Sequence, residues 1–263
     1  MKKSLLVALG LSMVLALAAC GAKEEAVAET EAAVEETVEE AVEEVVEEVA
    51  DAEEPAEETE EVASDVMSYA DYMAAELDSE VVVETYVQAH QSWWDNKITV
   101  YAADEDGAYF IYEMACSEED AEKLVPGTKI KVTGYKSEWS GEIEITDATF
   151  EIEDGSYIAE AKDVTDVDGV ELDSYLNQLV AFNDMTVVSV AYKNDEPGDD
   201  IYVTLSNKDD VNFDFCLEYY LNGDDADFYD LVGGLEAGQT VDVEGFLYWY
   251  EGPNAHLTKV TVK

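Results

Sequence analysis

Ten consecutive residues in the middle of the chain return near its end. Pro126-Gly127-Thr128-Lys129-Ile130-Lys131-Val132-Thr133-Gly134-Tyr135 aligns with Ala237-Gly238-Gln239-Thr240-Val241-Asp242-Val243-Glu244-Gly245-Phe246 at a constant offset of 111, and Gly141 and Gly252 keep that offset. Self-similarity at a fixed spacing means that one unit has been built twice, so each copy must be a fold that roughly 75–85 residues complete by themselves. In both copies a glycine opens the segment, apolar residues alternate with polar ones, and a second glycine closes it. That is the pattern of a half-buried strand bounded by turns.

The flanking residues extend the repeat. Residues 97–103 and 200–206 alternate as strands, acidic turns follow, and second strands come at 108–114 and 211–215, so each copy contains a hairpin. Each hairpin ends near a cysteine, Cys116 or Cys216, and leads into a short helical stretch. In the first copy this spans 117–124, with Ser117 as N-cap and Glu118, Glu119 and Asp120 in the first turn, where acidic groups favour the helix start. In the second copy it spans 224–232. The glycine-bounded strand comes next, then a last strand at 142–152 or 255–262. Strands at 81–89 and 179–191 begin the two copies, each preceded by a short helical candidate, 69–77 or 171–177.

The resulting order is strand, strand, strand, helix, strand, strand, twice over. It resembles the OB-fold, a five-stranded Greek-key barrel with its helix between strands 3 and 4. The fold class is therefore mainly β: two tandem five-stranded OB-fold-like barrels, residues 67–153 and 154–263, divided at the Glu-Asp-Gly-Ser turn of 153–156.

Ahead of the barrels, residues 1–20 have the layout of a secretory signal: Lys2 and Lys3, an apolar run, then small residues before Cys20. Leu17-Ala18-Ala19-Cys20-Gly21 resembles the lipobox of bacterial lipoproteins, which implies that Cys20 is acylated and becomes the mature N-terminus. Each buried methylene contributes about 0.8 kcal/mol, so permanent anchoring takes more than one chain. The expected location is the outer face of the cell membrane, with the membrane a partner through lipidated Cys20. The whole also resembles the tandem OB-fold-like lipoproteins of Gram-positive anaerobes, a family with no assigned activity to carry over.

Residues 21–66 read as a disordered acidic tether. Between 24 and 65 there are 20 acidic residues and no basic or aromatic one. Val34, Val38, Val42, Val45, Val46 and Val49 recur at helical spacing, so a helix or coiled coil is the competing reading. Against it stand two ladders, Glu35, Glu39, Glu43, Glu47 and Glu36, Glu40, Glu44, Glu48, in which every i,i+4 pair is like-charged. An extended polyanion that gains helicity on acidification is expected.

Charge narrows the partners. The chain holds 64 acidic residues against 13 basic ones, a formal charge of −51, and all the basic residues are lysines. Nucleic-acid affinity comes mainly from neutralising phosphates, so the balance argues against a nucleic-acid partner and against a phosphate-clamping enzyme. Negative surroundings favour sugars or cations over polyanions.

OB-folds bind ligands across strands 2 and 3 and the loops joining strands 1 to 2 and 4 to 5. The resemblance points to the aromatics near those loops: His90, Trp93, Trp94, Tyr135 and Trp139 in the first copy, and Tyr192, Tyr248, Trp249 and Tyr250 in the second. Their faces offer stacking surfaces, and Asp95, Glu138 and Glu251 offer acceptors. The plainer alternative is that they close the barrel mouths or alternate into the cores. Trp93 and Trp94, if extended, point to opposite faces, so one of them faces outward.

Asp163, Asp166, Asp168, Glu171 and Asp173 form an acidic run containing Asp-Val-Asp-Gly, but Val164 stands where a calcium loop would place its first ligand. Asp166, Asp168, Glu171 and Asp173 are thus weak candidates for calcium, and no other cofactor is expected. Cys116 and Cys216 read as small buried residues, not as a disulfide. With only His90 and His256 available, a nucleophile lacks an evident base. The sequence therefore reads as a lipid-anchored, noncatalytic binding or adaptor protein that engages a glycan, a peptide or protein, or a cationic ligand through aromatic loops. The alternatives are a structural envelope protein with a cation-binding stalk, and a hydrolase.

Overall fold

The computed structural model describes residues 66–263. Cys20, the leader and the tether up to residue 65 lie outside the described residues.

The chain opens with α1 (Tyr69–Ala74), whose N-cap Ser68 accepts a hydrogen bond from the Asp71 N–H. The first barrel follows: β1 (Glu80–His90), β2 (Lys97–Ala103), β3 (Ala108–Ala115), α2 (Glu118–Ala121), β4 (Thr128–Trp139) and β5 (Glu142–Ser156). The strands close in the order β1-β2-β3-β5-β4, with β4 returning to β1. All pairings are antiparallel except β3 with β5, as a Greek key of five strands requires.

The second barrel repeats the plan with β7 (Leu179–Tyr192), β8 (Ile201–Ser206), β9 (Asn212–Leu217), α3 (Tyr219–Asn222), α4 (Ala226–Gly233), β10 (Thr240–Trp249) and β11 (Pro253–Val262). β10 closes on β7, and β9 with β11 is the parallel pair. The described residues form two tandem OB-fold-like barrels.

Three details differ from the sequence reading. β5 runs on through Ser156, which pairs with Thr128, so residues 153–156 continue a strand. A two-residue strand, β6 (Lys162–Asp163), joins β7 in parallel; two residues carry no periodicity to detect. The second copy's helix is split into α3 and α4, each with its own acidic cap: Glu218 accepts from the Leu221 N–H and Asp225 from the Phe228 N–H.

The repeated glycines have the same physical cause in both copies. Gly127 and Gly238 have φ of 92° and 89°, and their N–H groups donate to Val87 and Val187 at 2.7 and 2.8 Å. Gly134 and Gly245 sit where another chain segment comes too close for a side chain. A Cβ there would lie 2.7 Å from Ile145 Cγ2 or 2.5 Å from the His256 carbonyl oxygen.

Inward-facing residues fill each barrel. Val83, Ile98, Val100, Ile111, Val132 and Ile145 belong to the first core, and Phe182, Val203, Phe215, Val241, Val243 and Leu257 to the second. Each such burial contributes about 1.5–3 kcal/mol.

A third, smaller apolar cluster joins the barrels. Tyr101 of β2 and Phe110 of β3, outward-facing on the first barrel, meet Phe246 and Tyr248 of β10. Tyr101 stacks on Phe246 at 4.7 Å between ring centres, and Tyr248 stacks on His256 at 4.4 Å. The Tyr101 hydroxyl and His256 Nδ1 share a hydrogen bond of 2.6 Å. Alongside, Trp139 stacks on Tyr250 at 5.3 Å, the Glu251 N–H donates to the Ser140 carbonyl, and the Trp249 N–H donates to Glu142 Oε2 at 2.8 Å.

Candidate functional site

The outer face of β2 and β3 is divided in two. On β2, Ile98, Val100 and Ala102 point into the core, leaving Lys97, Thr99 and Tyr101 outward. On β3, Tyr109 and Ile111 point inward and Phe110 and Tyr112 outward; a bulge at Glu113, φ 46°, shifts the phase so that Met114 returns to the core. The second barrel seals Tyr101 and Phe110, which are 1% and 3% exposed. The other half of the face stays open as a groove of about 450 Å³, with aromatic walls from Trp93, Trp94, Tyr112 and Tyr220 and a polar end at Lys97 and Glu113.

A tight turn presents Trp94. Trp94 and Lys97 exchange two backbone hydrogen bonds across Asp95 and Asn96, both at positive φ, the geometry of a two-residue hairpin turn. Trp94 is left 78% exposed. Trp93 turns the other way, packs on the first core and donates its indole N–H to the Cys116 carbonyl at 2.9 Å. Tyr220 comes from α3 of the second barrel and is 61% exposed. The Ser92 N–H donates to the Tyr220 carbonyl at 2.7 Å, which ties the loop before β2 to α3. The groove therefore exists only because both barrels are present.

At the polar end, Lys97 Nζ meets Glu113 Oε2 at 2.6 Å. The hydrogen bond to Lys97 holds the Glu113 carboxyl below the usual carboxylate range, while burial raises the Tyr112 hydroxyl. Such a surface has the chemistry for stacking, hydrogen bonding and charge pairing.

The groups that chemistry would require lie elsewhere. Cys116 and Cys216 are buried and free, and burial pushes the Cys116 thiol up to about 11 and the Cys216 thiol further. Burial pulls the His256 imidazole down to about 3, so it stays neutral against Tyr101. Burial also pushes the Glu142 carboxyl up to about 8 and that of Glu218 up to about 7. Glu142 has no solvent exposure, and Glu218 serves as the cap of α3.

The aromatics expected to form one open mouth per barrel are distributed otherwise. Trp93 and Trp94 are in the groove. Trp139, Tyr248, Trp249 and Tyr250 lie at the contact between barrels, because the loops between the fourth and fifth strands of the two copies pack on each other. Tyr135 sits within β4, between Glu80 and Thr146. Tyr192 ends β7 and packs on Tyr229 at 6.2 Å. His90 is half-buried, with Nδ1 at 2.8 Å from the Gln91 carbonyl.

Asp166, Asp168, Glu171 and Asp173 do not converge. Asp166 pairs with Lys208, and Asp168 Oδ1 accepts from the Val170 N–H. Among the described residues no cluster of three or more metal-ligating side chains is present.

Sequence reasoning missed Tyr112 and Tyr220. Outward alternation on the third strand was the available signal for Tyr112; nothing local marked Tyr220, which reaches the groove through the contact between barrels.

No protein-family model matches the chain, and no curated protein does. Solved structures do. One is a murine DNA-binding protein bound to double-stranded DNA, 11% identical with a TM-score of 0.35, covering 69% of this chain and 96% of that one. Another is the Ifi202 HINa domain with a 20-base-pair duplex, 13% identical, TM-score 0.31, covering 70% and 98%. A third, the p202 HIN1 domain with a 12-mer duplex, is 13% identical with a TM-score of 0.30, covering 71% and 94%. These DNA-bound neighbours correct the exclusion of nucleic acid drawn from charge. Net charge sums over the whole chain, whereas phosphate binding is decided by the local surface, so the exclusion does not stand.

Proposed function

We propose that this protein is a noncatalytic binding module, anchored at the outer face of the cell membrane through acylated Cys20 and held off it by the acidic tether. Its ligand lies in the groove on β2 and β3, against Trp94, Tyr112 and Tyr220. The observation that carries this reading is the set of exposed rings, 78%, 44% and 61% accessible, around one concavity. Large aromatics left in water around a shaped hollow mark recognition surfaces more than packing.

A thermal-shift screen of the full-length protein tests it, with oligosaccharides, basic and acidic peptides, polyamines, calcium and a DNA duplex as probes. A ligand that binds only the folded state raises the melting temperature. Trp94→Ala and Tyr220→Ala are expected to abolish the shift from the true ligand class while leaving the ligand-free melting temperature within about 2 °C, since exposed side chains contribute little to stability. A response to no probe, or one indifferent to these substitutions, would leave the structural envelope role as the better account.

A further inference from the structure

The barrels carry 44 acidic residues against 10 lysines, yet the groove is electrically balanced. Among the described residues that line it, Lys97 and Glu113 alone are charged, and they neutralise each other at 2.6 Å. A cation would have to take Glu113 from Lys97, and an anion would have to take Lys97 from Glu113. An uncharged ligand leaves the pair whole and meets the exposed rings of Trp94, Tyr112 and Tyr220.

The pair still has hydrogen-bonding capacity to offer. The Lys97 ammonium has three donors, and the carboxylate of Glu113 accepts at both oxygens; their mutual bond uses one donor and Oε2. Both side chains are about half exposed, 51% and 45%, so a spare donor and a spare acceptor stand side by side at the end of an aromatic hollow. The pair is also held in place. It bridges β2 and β3, and the Glu113 N–H donates to Thr99 Oγ1 at 3.1 Å, which fixes the bulge that presents the carboxylate. With that N–H engaged and the barrel closed, the groove recognises its ligand through side chains.

A sugar ring has matching chemistry: an apolar face of C–H groups that lies flat on an aromatic ring, and a rim of hydroxyls that each donate and accept. Adjacent hydroxyls can accept from an ammonium and donate to a carboxylate at once. The volume of about 450 Å³ lies within the roughly 300–1,000 Å³ of small-molecule sites.

We infer that the ligand of the groove is an uncharged oligosaccharide, which lays ring faces on Trp94 and Tyr220 and sets adjacent hydroxyls on Lys97 and Glu113. This rests on the groove being the binding site.

The test is titration calorimetry on the full-length protein. Tetramers of glucose and of N-acetylglucosamine are the uncharged probes; tetramers of galacturonate and of glucosamine, a basic peptide and a DNA duplex are the charged ones. Saturable binding of an uncharged tetramer is expected, with a Kd that changes less than about twofold between 0.05 and 0.5 M salt, because no net charge is brought together. Trp94→Ala, Tyr220→Ala and Lys97→Met should each weaken it at least tenfold. A charged probe that binds more tightly than either uncharged tetramer, in a Trp94-dependent and salt-sensitive manner, would overturn the uncharged sugar and leave the groove intact. Sugar binding indifferent to both ring substitutions would overturn the groove as its site. Binding by no probe would overturn both.

Discussion

Lys136 directs its ammonium at three backbone carbonyls, although carboxylates abound. Its Nζ lies 3.1, 2.7 and 2.9 Å from the carbonyl oxygens of Tyr72, Met73 and Ala75, at the C-terminal end of α1, and 5.5 Å from the Tyr72 ring centre. A strand residue thereby caps a helix that is too short to stand alone. Lys136→Met is expected to cost roughly 1.5–3 kcal/mol, the range for hydrogen bonds to a charged group, and to free α1. Hydrogen exchange at residues 69–75 would show it; unchanged protection would refute the role.

Glu142 gives a second prediction at this scale. Burial raises its carboxyl from 4.5 to about 8, so the folded state holds a proton that the unfolded state releases above pH 4.5. Its contribution to stability is complete below that value and is lost as pH rises toward 8. Glu218, raised to about 7, acts with the same sign. His256, lowered from 6.5 to about 3, acts with the opposite sign between those values. Chemical denaturation of Glu142→Gln should therefore show a gain over the parent that grows from pH 6 to pH 8.5. A constant difference would disprove the titration. None of this was readable beforehand, because in a chain so rich in carboxylates only burial distinguishes Glu142 from its neighbours.

Among the elements, strands were the more legible because alternation declares them. The strand at 97–103 was placed as observed, and most of the others to within a residue or two at each end. What escaped was short or interrupted: β6 and α3 are too brief to show a period, and the turn signal at 153–156 was overridden by pairing of Ser156 with Thr128. The repeated glycines carried structural information that the alignment alone could not explain. Gly245→Ala should destabilise by about 1–3 kcal/mol, the usual cost of overpacking, because its Cβ meets backbone and no flexible side-chain tip. Gly169→Ala, with nothing within 4 Å of the new atom, serves as the neutral control. Equal melting temperatures for the two variants would contradict the close-approach argument.

At the level of the whole molecule, the contact between barrels was invisible in the sequence. Tyr101, Phe110, Phe246 and Tyr248 alternate outward on ordinary strands, and nothing in their spacing separates a covered face from a wet one. That is why only Trp93 and Trp94 of the expected loop residues reached the groove, and why Tyr220 was overlooked. Phe246→Ala should cost about 3–5 kcal/mol if the cavity stays open and should split a single calorimetric transition into two as the barrels uncouple. One unshifted transition would show that the cluster does not couple them. Cys20→Ser, in turn, should move the protein from the membrane to the soluble fraction of the producing cell.

The contact between barrels joins two different faces: strands 2 and 3 of one copy meet strands 4 and 5 of the next. Contacts of this head-to-tail kind extend without limit unless something terminates them. The second barrel supplies a terminator. Where the first has Tyr101 opposite Phe110, the second has Thr204 opposite Asp214, joined by a hydrogen bond of 2.9 Å. At the other end Tyr135, at the position matching Phe246, is left in solvent. Replacing this hydrated pair by aromatics would give the second barrel an apolar face like the one the first barrel buries, so Thr204 and Asp214 keep that face from seeding a filament.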